Sequence, residues 1–474
     1  MKHFFTLFLT VGWMCPGAAQ QPTSRAFTLE QCIEYALQNS MTIKNAQLDE
    51  EIAKARVKET IGIGLPQIEG SVGIQHNEKL RRFFVQYTGP GGFIDLSGVP
   101  GIQVGDVVAS QNFFQLKSVG DASMSVSQIL FNGSYLVGLQ ASNAYKELSV
   151  KTTGQTREQT IANVSKAYYL AVTNRERIAL FDVNIARVDT LLRNTRALYQ
   201  NGFAEQIDVD RVQVTYNNLR SEREKFKNIQ TITTEVLKFQ MNYPMSEPIE
   251  VTGSIGEFAV PDYAAMEENW SYRKRWDYQL LQTSKRLQEL DLKNKYAAGV
   301  PSLVAFANLG YTTQAPNVSG LFRTTSAIED NGQVGPDKWY GYSLLGVSLN
   351  VPIFSGLQRT YRVQQSKLAL LKLENSQRQL ETVIDLELQQ VRLTLENAIR
   401  TLQSQKENME LAGNVARVTK IKYEQGVGSS LEVINAESSL REAQINYYSA
   451  LYDALVAKVD TDKAYGKLNP YTEK

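Results

Sequence analysis

The sequence contains few of the residues from which catalytic and metal sites are built. Of its 474 residues only two are histidine and two are cysteine, so neither a histidine-based catalytic triad nor a His/Cys metal cluster can be assembled. It also lacks a glycine-rich phosphate loop ending in Lys-Ser or Lys-Thr. The composition therefore predicts a protein that is not an enzyme and that needs no cofactor.

Charge of one sign and long apolar runs are also missing. The 50 Lys and Arg residues offset 49 Asp and Glu residues, and the net charge of +1 argues against nucleic-acid binding. Beyond the N-terminus, no uninterrupted apolar stretch approaches the roughly 20 residues of a membrane-spanning helix. If the protein enters a membrane, we expect it to do so as a closed β-barrel.

The N-terminus has the layout of a cleavable secretory signal. A basic residue, Lys2, precedes the apolar run at residues 4–13, and small residues follow at 17–19. This order predicts a signal peptide at residues 1–19 and export of the mature chain.

The two cysteines do not predict a disulfide. Cys15 lies within the signal, and Gly12 and Met14 fit the recognition pattern of a lipidated cysteine poorly. Cys32 is then the single cysteine of the mature chain. We expect it to be a small core residue of an amphipathic helix.

Helical patterns dominate the remaining sequence. The first, at residues 27–63, opens with Thr28 and Gln31 in the spacing of a capping box. A second, at 134–199, contains no proline and predicts a helix on the order of 100 Å long. A third, at 357–423, carries apolar residues that step by four and three as a heptad seam: Ile384, Leu388, Val391, Leu395, Ala398 and Leu402.

Each long helical segment is followed by a glycine and a further helical pattern, at 207–241 and 431–465. The sequence therefore predicts two long αα-hairpins. The glycine of the second break, Gly426, lies 224 residues after Gly202 of the first. A glycine break between two helical segments therefore occurs twice in the chain.

Four segments instead alternate apolar and polar residues, which predicts β-strands. They lie at about 65–78, 119–131, 300–313 and 341–354. The segments that join each pair, 81–118 and 314–340, are long and rich in Gly, Pro, Asn and aromatic residues. Such loops are expected at the outer end of a transmembrane barrel, which has short turns on the other side.

The order of elements repeats along the chain and sets the predicted domains. They are a signal at 1–19, a first repeat at 20–242, a linker at 243–262, a second repeat at 263–468 and a tail at 469–474. Four strands cannot close a barrel, because the smallest outer-membrane barrels have about 8 strands. We therefore expect several copies of the chain to assemble into one barrel.

The duplicated residues resemble those of the TolC-type outer-membrane efflux proteins. The resemblance rests on the strand-to-helix junctions "QILFNG" and "VPIFSG" and on the helix ends "YQNG" and "YEQG". It implies a mainly α fold with a transmembrane β-barrel contribution: a homotrimer that forms a barrel in the outer membrane and a helical tunnel across the periplasm. It also implies a periplasmic adaptor (membrane fusion protein) and an inner-membrane RND-type or ATP-driven pump as partners.

In that family the turns at the helix ends contact the adaptor. The matching positions are Asn201, Gly202, Phe203, Ala204, Gln425, Gly426, Val427 and Gly428. Neither copy has the valine that leads the family pattern. A plain turn that needs a glycine with positive φ explains Gly202 and Gly426 equally well, so docking here is an implication of the resemblance.

The resemblance also implies an acidic gate close to the second tip. In the family, two acids follow the tip glycine by six and nine positions, and these positions are occupied here by Glu432 and Asn435. The first keeps its charge and the second has lost it. Asp208 matches in the first repeat, with Asp210 close by. Charge at a helix N-terminus is the structural alternative for Asp208 and Glu432.

The family's latch is only partly present. Tyr423 matches the latch tyrosine, and Asp208 would be its partner. Where the family has an arginine for a second link, this chain has Gly428.

Two other classes of protein compete with a channel as the function of this chain. An exported coiled-coil protein that has a structural or adaptor role in the envelope would account for the helices and the signal, but not for the four strands. An exported enzyme has no converging site. The sequence does not distinguish drugs, metals, lipids or secreted proteins as the exported cargo.

Overall fold

The computed structural model describes residues 25–92, 94, 96, 98–110, 114–253, 270–322 and 339–468. The predicted signal with Cys15, the tail at 469–474 and residues 254–262 of the linker lie outside the described residues. Within these ranges no helix combines the length and the apolar character that a membrane crossing requires.

The described chain is mainly helical, with seven α-helices and eight β-strands. The helices are α1 Leu29–Asn39, α2 Met41–Ile63, α3 Gly133–Gln200, α4 Gln206–Met241, α5 Trp276–Ala297, α6 Gln358–Glu424 and α7 Ser430–Ala464. The strands are β1 Arg25–Phe27, β2 Gln67–His76, β3 Phe83–Gln86, β4 Val107–Ser110, β5 Ser118–Phe131, β6 Ile249–Val251, β7 Ser302–Ala315 and β8 Tyr340–Asn350.

The first helix begins at the predicted capping box but ends earlier than expected. Thr28 Oγ1 accepts a hydrogen bond from the backbone N–H of Gln31 at 3.4 Å, and Gln31 Oε1 accepts one from the N–H of Thr28 at 3.0 Å. The single helix expected over 27–63 is wrong, because Ser40 adopts an extended ψ of 127°. The N–H of Ser40 donates to the carbonyl of Ala36 at the end of α1. The carbonyl of Ser40 accepts a hydrogen bond from the N–H of Lys44 at the start of α2.

The two predicted αα-hairpins are confirmed. The hairpin α3–α4 is joined by a turn of five residues, and so is α6–α7. On α6 the heptad seam is the buried side, with Ile384 0% and Leu395 3% exposed. A glycine within α3, Gly154, has a packing reason: a Cβ built there would lie 2.6 Å from the ring of Trp276.

Contacts divide the chain into two compact units, each made from segments of both repeats. The first comprises the described residues of Met1–Glu51, Glu147–Ser284 and Leu373–Lys474, and the second those of Ile52–Lys146 and Lys285–Lys372. Since neither unit contains one whole repeat, the duplicated sequence does not fold as two separate globules.

The first unit has its main core where α1, α3, α4 and α7 meet. Cys32 is fully buried there, as expected, beside Tyr168 and Leu237. The strands β1 and β6 pair in parallel at the edge of this core. The sequence analysis did not predict these strands, because each has three residues and they are more than 200 residues apart.

The second unit contains an antiparallel sheet with the strand order β2-β5-β7-β8. These strands correspond to the four alternating segments of the sequence. The short hairpin β3–β4 lies in the segment expected to be a loop, 81–118, and pairs Phe83 with Ser110.

One face of this sheet is apolar across all four strands. Residues directly opposite one another in a ladder share a face. One such row is Ile68, Val126, Ala307 and Leu345; the next row, on the other face, is Glu69, Ser125, Asn308 and Leu344. Apolar side chains of the edge strands are exposed in the single chain, for example Val72 at 79% and Leu345 at 77%.

Candidate docking tips and gate

The first hairpin tip is a glycine turn with a defined hydrogen-bond pattern. Gly202 follows α3 with a φ of 78°, in the left-handed region that favours glycine. Its N–H donates to the carbonyl of Tyr199 at 3.0 Å, and the N–H of Phe203 donates to Leu198 at 2.9 Å. This is the Schellman pattern, which satisfies the last carbonyls of a helix.

The second tip repeats the same pattern. Gly426 has a φ of 74°, its N–H donates to Tyr423 at 3.0 Å, and the N–H of Val427 donates to Lys422 at 3.0 Å. Both repeats therefore present their tips with the same backbone geometry, although the side chains differ.

Helices α4 and α7 then begin with different caps. Glu205 and Asp208 form a capping box at α4, whereas at α7 the hydroxyl of Ser429 accepts from the N–H of Glu432 at 3.2 Å. Asp208 and Glu432 each lie in the first turn of their helix, where negative charge is favourable against the helix dipole.

The residue after each tip glycine projects into solvent in the single chain. Phe203 is 81% exposed and Val427 is 76% exposed. Asn201 and Gln425 are also exposed, and Ala204 and Gly428 are half-buried. Each tip therefore offers one large apolar side chain with little packing within its own chain.

Two hydrogen bonds connect the tips of the two repeats. The hydroxyl of Ser430 donates to Asp208 Oδ1 at 2.6 Å, and the hydroxyl oxygens of Thr195 and Tyr423 are 3.0 Å apart. Asp208 and Tyr423 both line a groove of about 860 Å³ between the tips. Among the described residues Tyr423 is hydrogen-bonded to Thr195 and Asp208 to Ser430, and the predicted hydrogen bond from Tyr423 to Asp208 is not formed.

The remaining gate residues lie on exposed faces. Glu432, Asn435 and Asp210 are exposed, and Asp210 accepts a hydrogen bond from Gln206 at 2.8 Å. Asp208 is half-buried, with Arg211 Nη1 at 3.6 Å from its carboxylate. Both acids of the first repeat therefore have partners on α4, and Asp208 also accepts from Ser430 of α7, whereas Glu432 is exposed.

A buried ion pair that was not predicted from the sequence joins α3 and α7. Arg187 Nη1 lies 3.2 Å from Glu437 Oε2, and the Glu437 side chain is only 8% exposed. Burial raises the pKa of Glu437, and the nearby Arg187 and Lys420 oppose that rise. The sequence position of Glu437 could have indicated its burial, because it lies four residues after buried Val433 on the same helical face.

A metal centre is not found in the part of the chain that the structure describes. No group of three or more His, Cys, Asp or Glu side chains in those ranges is placed to hold a metal ion.

Long helical hairpins and a four-stranded antiparallel sheet are also found in solved structures that share this fold. The chain superposes on the open state of the MtrE outer membrane channel of Neisseria gonorrhoeae with a TM-score of 0.71, covering 94% of this chain and 91% of that one at 16% identity. Identity at this level shows a shared fold.

The sequence itself establishes the family. The family model for outer membrane efflux proteins matches residues 32–242 and 280–467, and the chain belongs to this family. It is 21% identical to the outer membrane protein TolC of Vibrio cholerae over 73% of this chain and 77% of that protein. It is 20% identical to TolC of Escherichia coli over 94% of this chain and 83% of that protein. The family is one of outer-membrane efflux channels rather than of enzymes.

Proposed function

We propose that the chain is the outer-membrane channel of a tripartite efflux or type I secretion system. Three copies would form one barrel and a helical tunnel into the periplasm. A periplasmic adaptor and an inner-membrane pump would dock to the tunnel, and the pump would supply the energy. Each repeat, 20–242 and 263–468, would contribute one hairpin and two strands, with residues 243–262 as the linker.

The four-stranded sheet is the observation that supports this proposal best. Its edge strands, β2 and β8, have no partner among the described residues on their outer sides. In lipid, unpaired backbone groups cost several kcal/mol each, so strands there must belong to a closed barrel. Three sheets joined edge to edge would close with about 12 strands, within the range of outer-membrane barrels. The apolar face would then contact lipid.

Fractionation and electrophoresis test the assembly. We expect the protein in the outer-membrane fraction as a trimer in detergent gels that runs as a monomer only after boiling. An exported coiled-coil protein without a pore is the competing function. A soluble periplasmic monomer would support that alternative and contradict the channel.

The gate proposal rests on the second tip. Glu432 is exposed on the first turn of α7, and three copies would bring three of these carboxylates around the tunnel axis. Asn435, one turn further along, would form a neutral ring. Tyr423 and Asp208 would hold the tips together through Thr195 and Ser430. We therefore expect an entrance that is acidic, with one charged ring.

Glu432→Ala is expected to weaken the block of single-channel conductance by divalent cations on the periplasmic side. In the trimer this substitution would remove three carboxylates from the proposed gate. Asn435→Asp would add three carboxylates there and strengthen the block. The matched control is Glu410→Ala, an exposed acid on α6 away from the tip. Unchanged block in Glu432→Ala would show that the gate is elsewhere.

The docking proposal rests on the exposed apolar side chains at the tips. A large side chain that packs little in its own chain is suited to fill a pocket on a partner, and such residues carry most of the energy of an interface. Phe203 and Val427, at equivalent positions of the two tips, are the residues that we propose to contact the adaptor.

Phe203→Ala is expected to weaken adaptor binding about thirtyfold, because truncating an interface anchor costs about 2 kcal/mol. Val427→Ala should weaken it less, since the side chain is smaller. Binding to the purified adaptor by biolayer interferometry would measure both. Phe239→Ala is the matched control, because Phe239 is 70% exposed at the opposite end of α4. Equal effects of Phe203→Ala and Phe239→Ala would contradict docking at the tip.

A further inference from the structure

The first unit contains a second cavity that the channel function does not use. It has a volume of about 520 Å³ and is lined by α3, by the first residues of α2 and α5 and by the last residues of α4 and α7. A cavity of this size is within the range of small-molecule sites. Its wall consists mainly of hydroxyl and amide side chains, including Thr160 and Asn163, together with the aromatic ring of Phe239.

One carboxylate on this wall is not fully hydrogen-bonded. Glu158 is 7% exposed, and its Oε1 atom is buried with no hydrogen-bond partner among the described residues. A buried polar atom left without a partner costs free energy, and more so when the group is ionised. Such an atom beside a cavity is a place where a ligand can supply the missing donor.

The cations nearest to Glu158 are already bound to other groups. Arg275 forms ion pairs with Asp277 at 2.7 Å and with Glu387 at 2.7 Å. Lys463 Nζ donates to Gln159 Oε1 at 2.6 Å. Those two cations and the two acids paired with Arg275 sum to zero, so the carboxylate of Glu158 leaves this group of charges at −1.

The electrostatic surroundings agree with an unpaired acid. Burial raises the pKa of Glu158 to about 7, Lys463 and Arg275 oppose the rise, and Asp277 and Glu387 add to it. Glu158 therefore takes up or releases a proton near neutral pH.

We propose that this cavity binds a small organic ammonium compound, with Glu158 as its counter-charge. The ammonium group would donate a hydrogen bond to Glu158, and the hydroxyl and amide side chains of the wall would surround the rest of the ligand. The ring of Phe239 adds a surface that attracts cations. An anionic ligand is disfavoured, because it would meet the carboxylates of Glu158 and Asp277 on the same wall while Arg275 is already paired with two acids.

Three matched probes test this proposal: butylammonium, butanol and butyrate, which share one alkyl chain. We expect saturable binding of butylammonium alone to the full chain in detergent at pH 8, followed by saturation-transfer NMR. Glu158→Gln should lower its affinity at least tenfold, since a hydrogen bond to a charged group is lost. Glu224→Gln is the control, because Glu224 is 62% exposed and lies outside the cavity.

The pH dependence of the natural chain provides a second test that needs no variant. Affinity for butylammonium should fall about tenfold between pH 8 and pH 6 as Glu158, with its pKa of about 7, takes up a proton. Equal binding of the three probes, no binding of any, or unchanged affinity in Glu158→Gln would each overturn the proposal. Binding is measured without export, so failure here leaves the channel function standing.

Discussion

Arg187→Met is expected to destabilise the protein by about 3 kcal/mol at pH 8, because it removes the ion-pair partner of the buried Glu437 carboxylate. Glu437 is 8% exposed and Arg187 is 25% exposed, which places the cost at the low end of the range for a broken buried pair. Methionine keeps most of the apolar stem of the side chain. Guanidinium unfolding of the purified protein in detergent would measure the loss.

Two controls separate the buried charge from other effects of the substitution. Arg193→Met removes an arginine of the same helix whose partner is Asp189 and which is 69% exposed; an exposed pair contributes at most about 1 kcal/mol. Adding Glu437→Gln to Arg187→Met should recover much of the stability, because the uncompensated charge is gone. A loss in Arg187→Met no larger than in Arg193→Met would contradict this account.

The same pair has a consequence for the proposed gate. Glu437 lies on α7 only five residues after Glu432 and is held to α3 through Arg187, which also donates to Asn184 at 2.6 Å. Asn184 in turn donates to Gln444 of α7 at 2.9 Å. These contacts fix the start of α7 against α3, so Arg187→Met should also broaden the distribution of single-channel conductance states.

The helices and the main sheet could be predicted because their burial patterns repeat. The seam of α6 keeps its spacing over many turns, and the four sheet strands alternate throughout. Such patterns average over many residues and survive local exceptions. The break at Ser40 was missed because one serine with an extended ψ leaves no periodic signal. The pairing of β1 with β6 was missed because it depends on contacts between distant segments.

In the candidate site, too, local features could be predicted from the sequence and features that depend on tertiary packing could not. The two tip glycines follow from the sequence, because a left-handed turn at a helix end selects glycine. The partner of Tyr423 does not, since its choice between Thr195 and Asp208 depends on the packing between α3 and α6. The carboxylate of Glu158 was missed for a similar reason: its lack of a hydrogen-bond partner is visible only once Arg275 and Lys463 are seen bound to other groups.

The burial of the Glu158 carboxylate also makes the free energy of unfolding depend on pH. The pKa of Glu158 is raised by burial from 4.5 to about 7, so the folded state holds a proton that the unfolded state has released between these values. Glu158 therefore contributes stability below pH 4.5, and this contribution is lost as pH rises to 7. The shift corresponds to about 3 kcal/mol.

Glu158→Gln is expected to stabilise the protein by up to about 3 kcal/mol at pH 8, because glutamine is neutral at every pH and avoids the buried charge. The gain should shrink as pH falls from 7 and vanish near pH 4, where the carboxyl group of the natural chain is also neutral. Denaturant unfolding at pH 8, 6 and 4 would follow it, with Glu224→Gln as the exposed control. Saturating butylammonium should narrow the gap at pH 8, since a bound cation stabilises only the ionised carboxylate. A gain of the same size at all three pH values would mean that the amide improves packing, and a loss at pH 8 would mean that Glu158 is paired when ionised.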